Sequence, residues 1–373
     1  MSDYVNNLGC NINRGGYDSS YDVAMKVLEA RQKVAEFFHS QNPQDVVFTP
    51  SITYSLNILL QGFLNSGDHI ITTSMEHNSV MRPLFALSEK GVDFKTVQCE
   101  KDGTLNPENI KPLIKKNTKA IVLLHASNVC GTVMPIDEVA KICKENGIKL
   151  IVDAAQTAGV IDIDVKNIDA LAFTGHKNLL APQGIGGFII KKDFAEKVRP
   201  LIYGGTGSMS HEFEQPSMLP DKFESGTINI PGILALKSSI EYITSIGIEN
   251  IYEKEIALAN KFISMLQEID GIEIIGKPST TNVKTTPVSE STKKPPPDRV
   301  AVVSLNFPGK DNAEIASILD KKYGIMTRCG LHCAPNAHKT LDTYPHGTIR
   351  FSFGFFNTTD EVKYIVESIE NLI

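Results

Sequence analysis

The chain has 373 residues and a net charge of −6 at neutral pH, a length that suggests two domains or one large domain with a small companion. Its mixed charges form no basic stripe, which argues against an electrostatic nucleic-acid binder. The sequence has no long apolar run and no positively charged N-terminal segment leading into one, so we expect a soluble, cytoplasmic protein without a membrane partner. Its six cysteines are scattered along a chain without a secretory signal, which favours free thiols over disulfides.

In chain order, apolar residues at helical spacing predict a helix over residues 21–38, with Ser19 and Ser20 able to cap its start. A strand at 46–49 and a helix at 53–63 are predicted next. Such a strand, turn and helix leaves backbone N–H groups free at the helix start, where an anion binds favourably. An ordinary connection between a strand and a helix explains the segment equally well.

Strand and helix patterns then alternate as far as residue 173. Strands are predicted at 69–73, 93–98, 120–124, 149–153 and 170–173, and helices around 80–89, from Asn106 onward, and at 136–145 up to Gly147. Repeated units of this kind indicate an α/β fold with a mostly parallel sheet covered by helices on both faces. Ligands bind such sheets beyond the carboxyl ends of the strands.

The pattern changes after an antiparallel strand predicted at 188–190. Helices are predicted at about 232–245, 249–269, 312–322 and after a capping box at Thr358, and strands at 272–275, 300–306, 325–328 and 348–353. We therefore predict a large domain at 1–231 and a smaller α+β domain at 232–373. Residues 277–299 are rich in Thr, Ser, Lys and Pro, which predicts a mobile loop within the smaller domain.

Two of the predicted strands end in groups with a clear chemical use. Residues 172–177 (AFTGHK) end at Lys177, and residues 150–156 (LIVDAAQ) carry Asp153 and Gln156. An enzyme that uses pyridoxal 5'-phosphate (PLP) needs a lysine that joins the cofactor and an acid that keeps the ring nitrogen protonated. The polar residues at or just past strand ends are Asn128, Asp153, Gln156, Thr174, His176 and Lys177. They predict a PLP site at this edge, although each residue alone is compatible with an ordinary loop.

These two motifs, together with residues 328–335 (RCGLHCAP), resemble the cysteine desulfurases of the class V aminotransferase family over nearly the whole chain. The resemblance implies a fold-type I PLP-dependent transferase. The short segment that ends at Cys333 is similar to the second group of these enzymes, which includes selenocysteine lyases.

For the cofactor ring, the resemblance implies five roles. Lys177 forms the Schiff base and takes the Cα proton of the substrate, and Asp153 pairs with the pyridinium nitrogen. Gln156 donates to the phenolic oxygen, with Asn128 beside it at the site where cofactor and substrate meet. His77 stacks on the ring and shuttles protons; without the family it is equally a partly buried loop histidine.

For the cofactor phosphate, the resemblance implies contacts from Ile52 and Thr53 at a helix start, and from Thr174 and His176 after a strand. Thr227 matches a residue that relatives donate across a dimer interface. This implies a homodimer with shared active sites.

The resemblance makes L-cysteine the substrate and Cys333 the residue that attacks its sulfur, which leaves a persulfide on the enzyme and releases alanine. Arg328 and His332 are expected to favour the thiolate of Cys333. Arg350 is expected to hold the substrate carboxylate, with Arg328 also near the substrate. A metal site that combines Cys333 with Cys329 and His332 is the competing interpretation, and it lacks a fourth ligand.

The sequence departs from the family in two places. Relatives begin with an additional strand and an Asp-Asn-Ala-Ala-Thr-like segment, and this sequence starts just after the matching point, so we expect that segment to be truncated or lost. Residues 277–299 are an insertion. The alternative functions are a selenocysteine lyase or other C–S lyase, and a catalytically silent PLP-fold binding partner. The sulfur acceptor, for iron–sulfur clusters or another product, is not specified by the sequence.

Overall fold

The computed structural model describes residues 1–2, 4–12, 16–277 and 297–373. Its α-helices are α1 (Asp18–Phe37), α2 (Ile52–Phe63), α3 (Asn78–Ser88), α4 (Ile136–Asn146), α5 (Lys192–Ala195), α6 (Ile230–Ile246), α7 (Ile248–Leu266), α8 (Asn312–Tyr323), α9 (Pro335–Thr340) and α10 (Thr359–Glu370). Its strands are β1 (Val46–Thr49), β2 (His69–Thr73), β3 (Asp93–Val97), β4 (Thr118–Leu124), β5 (Lys149–Asp153), β6 (Ala170–Thr174), β7 (Gly186–Ile190), β8 (Glu273–Ile275), β9 (Val302–Asn306), β10 (Arg328–Gly330) and β11 (Thr348–Ser352). Short 3₁₀ turns lie at Pro43–Asp45, Pro107–Leu113 and Val165–Asn167, and a π-helical turn lies at Tyr4–Leu8.

The large sheet contains, among the described residues, seven strands in the order β1-β7-β6-β5-β4-β2-β3. Strands β2 to β6 run parallel to their neighbours within that group, whereas β7 is antiparallel to both β6 and β1. The predicted α/β fold with a mostly parallel sheet is confirmed, as is the antiparallel strand predicted at 188–190, which is part of β7 and lies between β1 and β6.

Helices cover both faces of this sheet because its strands alternate apolar side chains between two cores. Val46 and Phe48 of β1 pack in one core with α1, α4 and α6, whereas Val47 between them packs in the other with α2 and α3. A strand buried on both faces reads as a continuous apolar run. This arrangement leaves the carboxyl ends of the strands as the edge where polar groups collect.

A second sheet has the order β10-β11-β9-β8 and is antiparallel throughout. It packs through Val303, Leu305 and Phe351 against apolar residues of α7, α8 and α10. Helix α6 packs in the core of the large sheet, with Ile233 and Leu236 fully buried there. The domain division at 231/232 stays a prediction.

Three local predictions are wrong. Helix α1 begins at Asp18 after Tyr17, so Ser19 and Ser20 lie inside the helix, and no side chain caps its start. The side chain of Asn106 does cap the next element, but that element is a 3₁₀ helix that contains Pro112. Strand β10 begins three residues later than predicted, because pairing with β11 defines the strand and starts at Arg328.

The exposed edge of β1 is covered by a buried ion pair. Arg31 of α1 forms two hydrogen bonds, of 2.9 and 2.8 Å, with the carboxylate of Glu224. Arg31 also donates to the carbonyl oxygen of Val46, and Glu224 accepts from the N–H of Phe48 at 2.7 Å. The pair therefore satisfies backbone groups of β1 that a further strand would otherwise bind.

The loop predicted at 277–299 falls largely on residues 278–296, which lie outside the described residues. At its two described ends, Arg299 is buried and its Nη1 donates to the carbonyl oxygen of Lys277 at 2.9 Å. Among the described residues, no helix combines the length and apolar character needed to cross a membrane.

Candidate active site

Asp153 ends β5 at the carboxyl edge of the large sheet and is only 4% exposed. Its Oδ1 accepts from the N–H of Ala155 at 2.9 Å and its Oδ2 accepts from the hydroxyl of Ser79 at 3.4 Å. The pKa of this carboxyl is raised, because burial outweighs the opposing effect of the charge of Lys177. No cation of the described residues lies within ion-pair distance, and a buried carboxylate is costly without one. The site thus suits a ligand that brings a protonated nitrogen to Asp153.

Lys177 follows β6 by three residues and is half-buried. The pKa of its amine is lowered, because burial outweighs the opposing effect of the carboxylate of Asp153. Desolvation makes a lysine amine more readily neutral and therefore nucleophilic. The lysine and the acid that were predicted on separate strands thus influence each other's charge at one edge.

His77 is the N-cap of α3, and its Nδ1 accepts from the N–H of Ser79 at 3.0 Å. We therefore assign the proton of the neutral ring to Nε2. Burial, followed by the charges of Lys177 and Arg328, lowers the pKa of His77 to about 4. The ring is neutral at physiological pH and is fixed by the start of its own helix.

A helix start lies next to this group, as the strand, turn and helix pattern predicted. Ile52 and Thr53 form the first turn of α2, and the side chain of Ser51 makes no capping hydrogen bond to it. A Cβ added at Gly186 of β7 would lie 3.2 Å from the backbone of Ser51, so the missing side chain lets the two backbones approach. The free N–H groups of such a turn suit an anion such as a phosphate.

Two further residues that were predicted to contact the phosphate contact each other. The hydroxyl of Thr174 at the end of β6 lies 3.1 Å from Nδ1 of His176. Burial, followed by the charge of Lys177, lowers the pKa of His176, which favours the neutral ring.

The second sheet contributes two arginines that lie opposite each other. Arg328 of β10 pairs in register with Arg350 of β11. Nη1 of Arg350 donates to the carbonyl oxygen of Asn128 at 3.0 Å, and burial followed by the charge of Arg328 lowers the pKa of Arg350 to about 10. Nε of Arg350 and Oδ1 of Asn128 are buried without a partner among the described residues. These polar atoms are available to a small ligand that carries a carboxylate and an amine.

Cys333 is exposed, and Nη2 of Arg328 donates to its sulfur at 3.2 Å. The main chain is left-handed at both His332 and Cys333, with φ of 49° and 58°, a conformation that is unusual for residues other than glycine. Residues near the large sheet hold this turn: Asn78 N–H donates to the Cys333 carbonyl at 2.7 Å, and Asn128 Nδ2 to the His332 carbonyl at 2.9 Å. A cleft of about 380 Å³ is lined by residues that include Thr53, His77 and Cys333.

The expectation that His332 adds positive charge beside the thiol is wrong. His332 is buried, and its Nε2 lies 2.9 Å from the hydroxyl of Thr348. Burial and the charge of Arg350 lower the pKa of His332 to about 3, so the ring is neutral. Of the two residues named for this role, Arg328 alone is charged and in contact with the sulfur.

Thr227 and Gln156 are two further predicted site residues without a hydrogen bond to another predicted site residue in the part of the chain that the structure describes. Thr227 is exposed and accepts from Nδ2 of Asn11 at 3.4 Å. Gln156 lies half-buried in the turn after β5. Their roles stay predictions.

Two polar residues of this edge are absent from the sequence-based set. Ser79 contacts both Asp153 and His77, and Glu76 is fully buried one residue before His77. The sequence offers one signal for Glu76, which is its position directly before the candidate residue His77.

Comparison with known proteins agrees with this geometry. The family model for class-V aminotransferases matches residues 1–365. A probable cysteine desulfurase of Methanothermobacter thermautotrophicus is 32% identical over 379 residues, which cover 100% of this chain and 90% of the relative. A cysteine desulfurase of Haloferax volcanii is 32% identical over 378 residues, which cover 99% of this chain and 84% of the relative. The apo structure of a cysteine desulfurase from Thermococcus onnurineus superposes with a TM-score of 0.89 at 31% identity, covering 100% of this chain and 90% of that one.

The fold is that of the fold-type I PLP enzymes, and the chain belongs to the class-V aminotransferase family, whose members are generally PLP-dependent. Within that family its relatives are cysteine desulfurases, to which it is similar along its whole length.

Proposed function

We propose that this chain is a PLP-dependent cysteine desulfurase that converts L-cysteine to L-alanine and keeps the sulfur as a persulfide on Cys333. The observation that carries the proposal is the hydrogen bond from Asn78 N–H to the carbonyl of Cys333, at 2.7 Å. Asn78 directly follows His77, so this contact brings the exposed thiol to the edge where Lys177 and Asp153 lie. Cofactor chemistry and sulfur chemistry would thereby take place next to each other.

The residues at the large sheet fit PLP. Asp153 would hold the protonated ring nitrogen, Lys177 would join the cofactor covalently, and His77 would stack on the ring. The start of α2 at Ile52 and Thr53 would hold the phosphate. When bound, PLP supplies an electron sink that stabilises negative charge at the substrate Cα.

Gln156, Thr174 and His176 complete the proposed contacts to the phenolic oxygen and the phosphate. Thr227 would reach the phosphate of a second protomer, which makes the proposed enzyme a homodimer. Its exposure and its position on the segment anchored by Glu224 support that role. Sedimentation equilibrium would report a monomer if this part of the proposal is wrong.

The residues of the second sheet would handle the substrate. Arg350 would bind the carboxylate of L-cysteine, and Asn128 would contact the substrate beside the ring through the amide oxygen that is unpaired in the structure. The amine of Lys177 would accept the Cα proton and return it, while Nε2 of His77 would relay a proton at the ring face. Burial lowers the pKa of both groups, which favours the neutral forms that proton transfer near pH 7 uses.

Cys333 would then take the sulfur. Its thiolate forms an S–S bond to the substrate sulfur while the substrate Cβ–S bond breaks, and the carbon fragment takes up protons to become alanine. The net reaction is L-cysteine plus the Cys333 thiol giving L-alanine plus the Cys333 persulfide, in which atoms and electrons balance. Arg328, which donates to the sulfur, would hold the Cys333 side chain in place for the attack. The exposed position of Cys333 suits delivery of the sulfur to an acceptor protein.

The test is the release of alanine and sulfide from L-cysteine in the presence of a reductant, measured on the PLP-loaded protein. We expect equal amounts of both products and a persulfide on Cys333 by mass spectrometry in the absence of the reductant. Pyruvate and ammonia in place of alanine would contradict the proposal, as would a persulfide on another cysteine.

A further inference from the structure

Glu76 has a role that the proposed mechanism does not use. Its side chain lies between β2 and α3 and is 0% exposed. Its Oε1 accepts from the hydroxyl of Thr73 at 2.6 Å, and the N–H of Leu124 donates to both carboxyl oxygens, at 3.2 and 3.1 Å. Among the described residues, no lysine, arginine or histidine forms an ion pair with it.

The position of Leu124 explains why the carboxyl is needed. Strands β2 and β4 pair from His69 to Ile71 and then separate. Leu124 ends β4 and pairs with Asp153 of β5 on its other side. Its N–H would be buried without a partner toward β2, and such groups are almost always satisfied in native proteins. Glu76 fills the gap between the two strands.

The turn that Glu76 holds contains three consecutive residues of the site. His77 follows it directly, Asn78 donates its N–H to the carbonyl of Cys333, and the hydroxyl of Ser79 donates to Asp153. One buried carboxyl that is hydrogen-bonded to β4 therefore fixes a segment that carries His77 and contacts both Asp153 and the turn of Cys333.

We propose that Glu76 is a positioning residue, and that as a neutral carboxylic acid it locks residues 74–79 onto the end of β4. The inference rests on the proposed function for the identity of the groups that are positioned. Neutrality agrees with the surroundings, because burial, with a smaller contribution from the charge of Asp153, raises the pKa of Glu76 to about 8 against the opposing hydrogen bond from Thr73. Cys99 after β3 also interacts with Glu76, and burial raises the pKa of its thiol to about 12, so it too is neutral. With Glu76 and Cys99 neutral, Asp153 is the acid among these three residues that would face the ring nitrogen as a carboxylate.

Two substitutions separate position from charge. Glu76→Gln keeps an oxygen for the N–H of Leu124 and places an amide N–H against the hydroxyl of Thr73. Glu76→Leu has a similar volume but leaves the N–H of Leu124 without a partner. We therefore expect the glutamine variant to behave as the wild type, and the leucine variant to loosen the turn.

The experiment measures kcat and KM for alanine formation, together with hydrogen–deuterium exchange of residues 74–79 and 331–334. We expect Glu76→Leu to lower kcat by roughly ten- to a hundredfold, the effect of a small misplacement of catalytic groups. KM should change little, because Arg350, which is proposed to bind the substrate carboxylate, lies on the second sheet and not on the turn at 74–79. Exchange at both segments should increase, and Glu76→Gln should keep kcat within about twofold.

Three outcomes would overturn the inference. A leucine variant with wild-type kcat and exchange would show that the carboxyl does not position the turn. A glutamine variant as impaired as the leucine variant would show that an ionised carboxylate is required. An equal increase of hydrogen–deuterium exchange across both sheets would show that Glu76 contributes only to the overall stability of the protein. The wild type is measured first, because a failure of alanine formation there concerns the proposed function and leaves the exchange result for Glu76 readable by itself.

Discussion

The cofactor side and the sulfur side of the candidate site differ in how far their reactive groups are buried. On the cofactor side, which comprises His77, Asp153 and Lys177 at the edge of the large sheet, burial shifts each pKa toward the neutral form of the group. On the sulfur side, which comprises Arg328, Cys333 and Arg350 on or near the second sheet, the thiol is exposed and two guanidinium groups lie opposite each other. Proton transfer requires groups whose pKa values are adjusted by burial. Sulfur that leaves the enzyme must instead be accessible to an acceptor. Substitutions on the two sides should therefore fail in different ways.

The largest effect is expected for Lys177→Ala on the cofactor side. The substitution removes both the covalent link to PLP and the group that accepts the Cα proton, so alanine formation should fall below detection. The bound-cofactor absorbance of the purified protein, with its response to L-cysteine, is the measurement. Lys191→Ala is the matched control, because Lys191 also lies just after a strand of the same sheet: it follows β7, as Lys177 follows β6. Retention of a covalent cofactor in Lys177→Ala would contradict the assignment.

On the sulfur side, Cys333→Ser should separate the two halves of the chemistry. We expect unchanged PLP binding and absorbance, no persulfide by mass spectrometry, and loss of alanine formation from L-cysteine. Cys329→Ser, four residues earlier on β10, is the control and should keep the activity. If both variants make alanine from L-cysteine at the wild-type rate, Cys333 does not accept the sulfur.

A smaller effect is expected for Arg350→Lys. Lysine keeps the charge but cannot form two parallel hydrogen bonds with a carboxylate, so KM for L-cysteine should increase by roughly ten- to a hundredfold. Alkylation of Cys333 should be unchanged, because Arg328 is the residue that contacts the sulfur. Arg199→Lys serves as control, as Nε of Arg199 donates to the carbonyl of Gly62 away from the cleft. An unchanged KM in Arg350→Lys would place the substrate carboxylate elsewhere.

The smallest effect concerns stability against acid on the sulfur side. The pKa of His332 is about 3 in the folded protein and has its ordinary value of about 6.5 in the unfolded chain. The unfolded chain therefore binds this proton first as the pH falls through that interval, and stability is lost with falling pH. His332→Gln should lessen the fall in melting temperature between neutral and mildly acidic pH. An equal fall in both proteins would mean that other groups cause the acid sensitivity.

Much of the fold follows from local sequence, because the apolar runs of strands buried on both faces are unambiguous. Strands β2 and β5 have the predicted bounds, and the capping box at Thr358 opens α10 as predicted. The start of β10 was misplaced because residues 325–327 have suitable side chains but no strand partner. A strand of this kind is defined by pairing with residues far along the chain, which local propensity does not contain.

The site was predictable to the extent that strand ends mark it. Asp153 and Lys177 stand out because they end apolar runs. Glu76 was not recognised, since its role depends on the separation of β2 from β4 and on the N–H of Leu124, 48 residues later. The neutral state of His332 could not be read from the sequence either, because it results from burial. Pairing of Arg31 with Glu224, which are 193 residues apart, is likewise a property of the folded chain.

That ion pair also limits how copies of the protein can associate. A sheet with a free edge can bind a strand of another chain and so extend across subunits or into aggregates. The edge of β1 is closed to such addition, because Arg31 and Glu224 occupy the carbonyl of Val46 and the N–H of Phe48. A dimer of this protein would therefore not form by adding a strand at β1, and the segment that Glu224 anchors carries the exposed Thr227 three residues further along the chain.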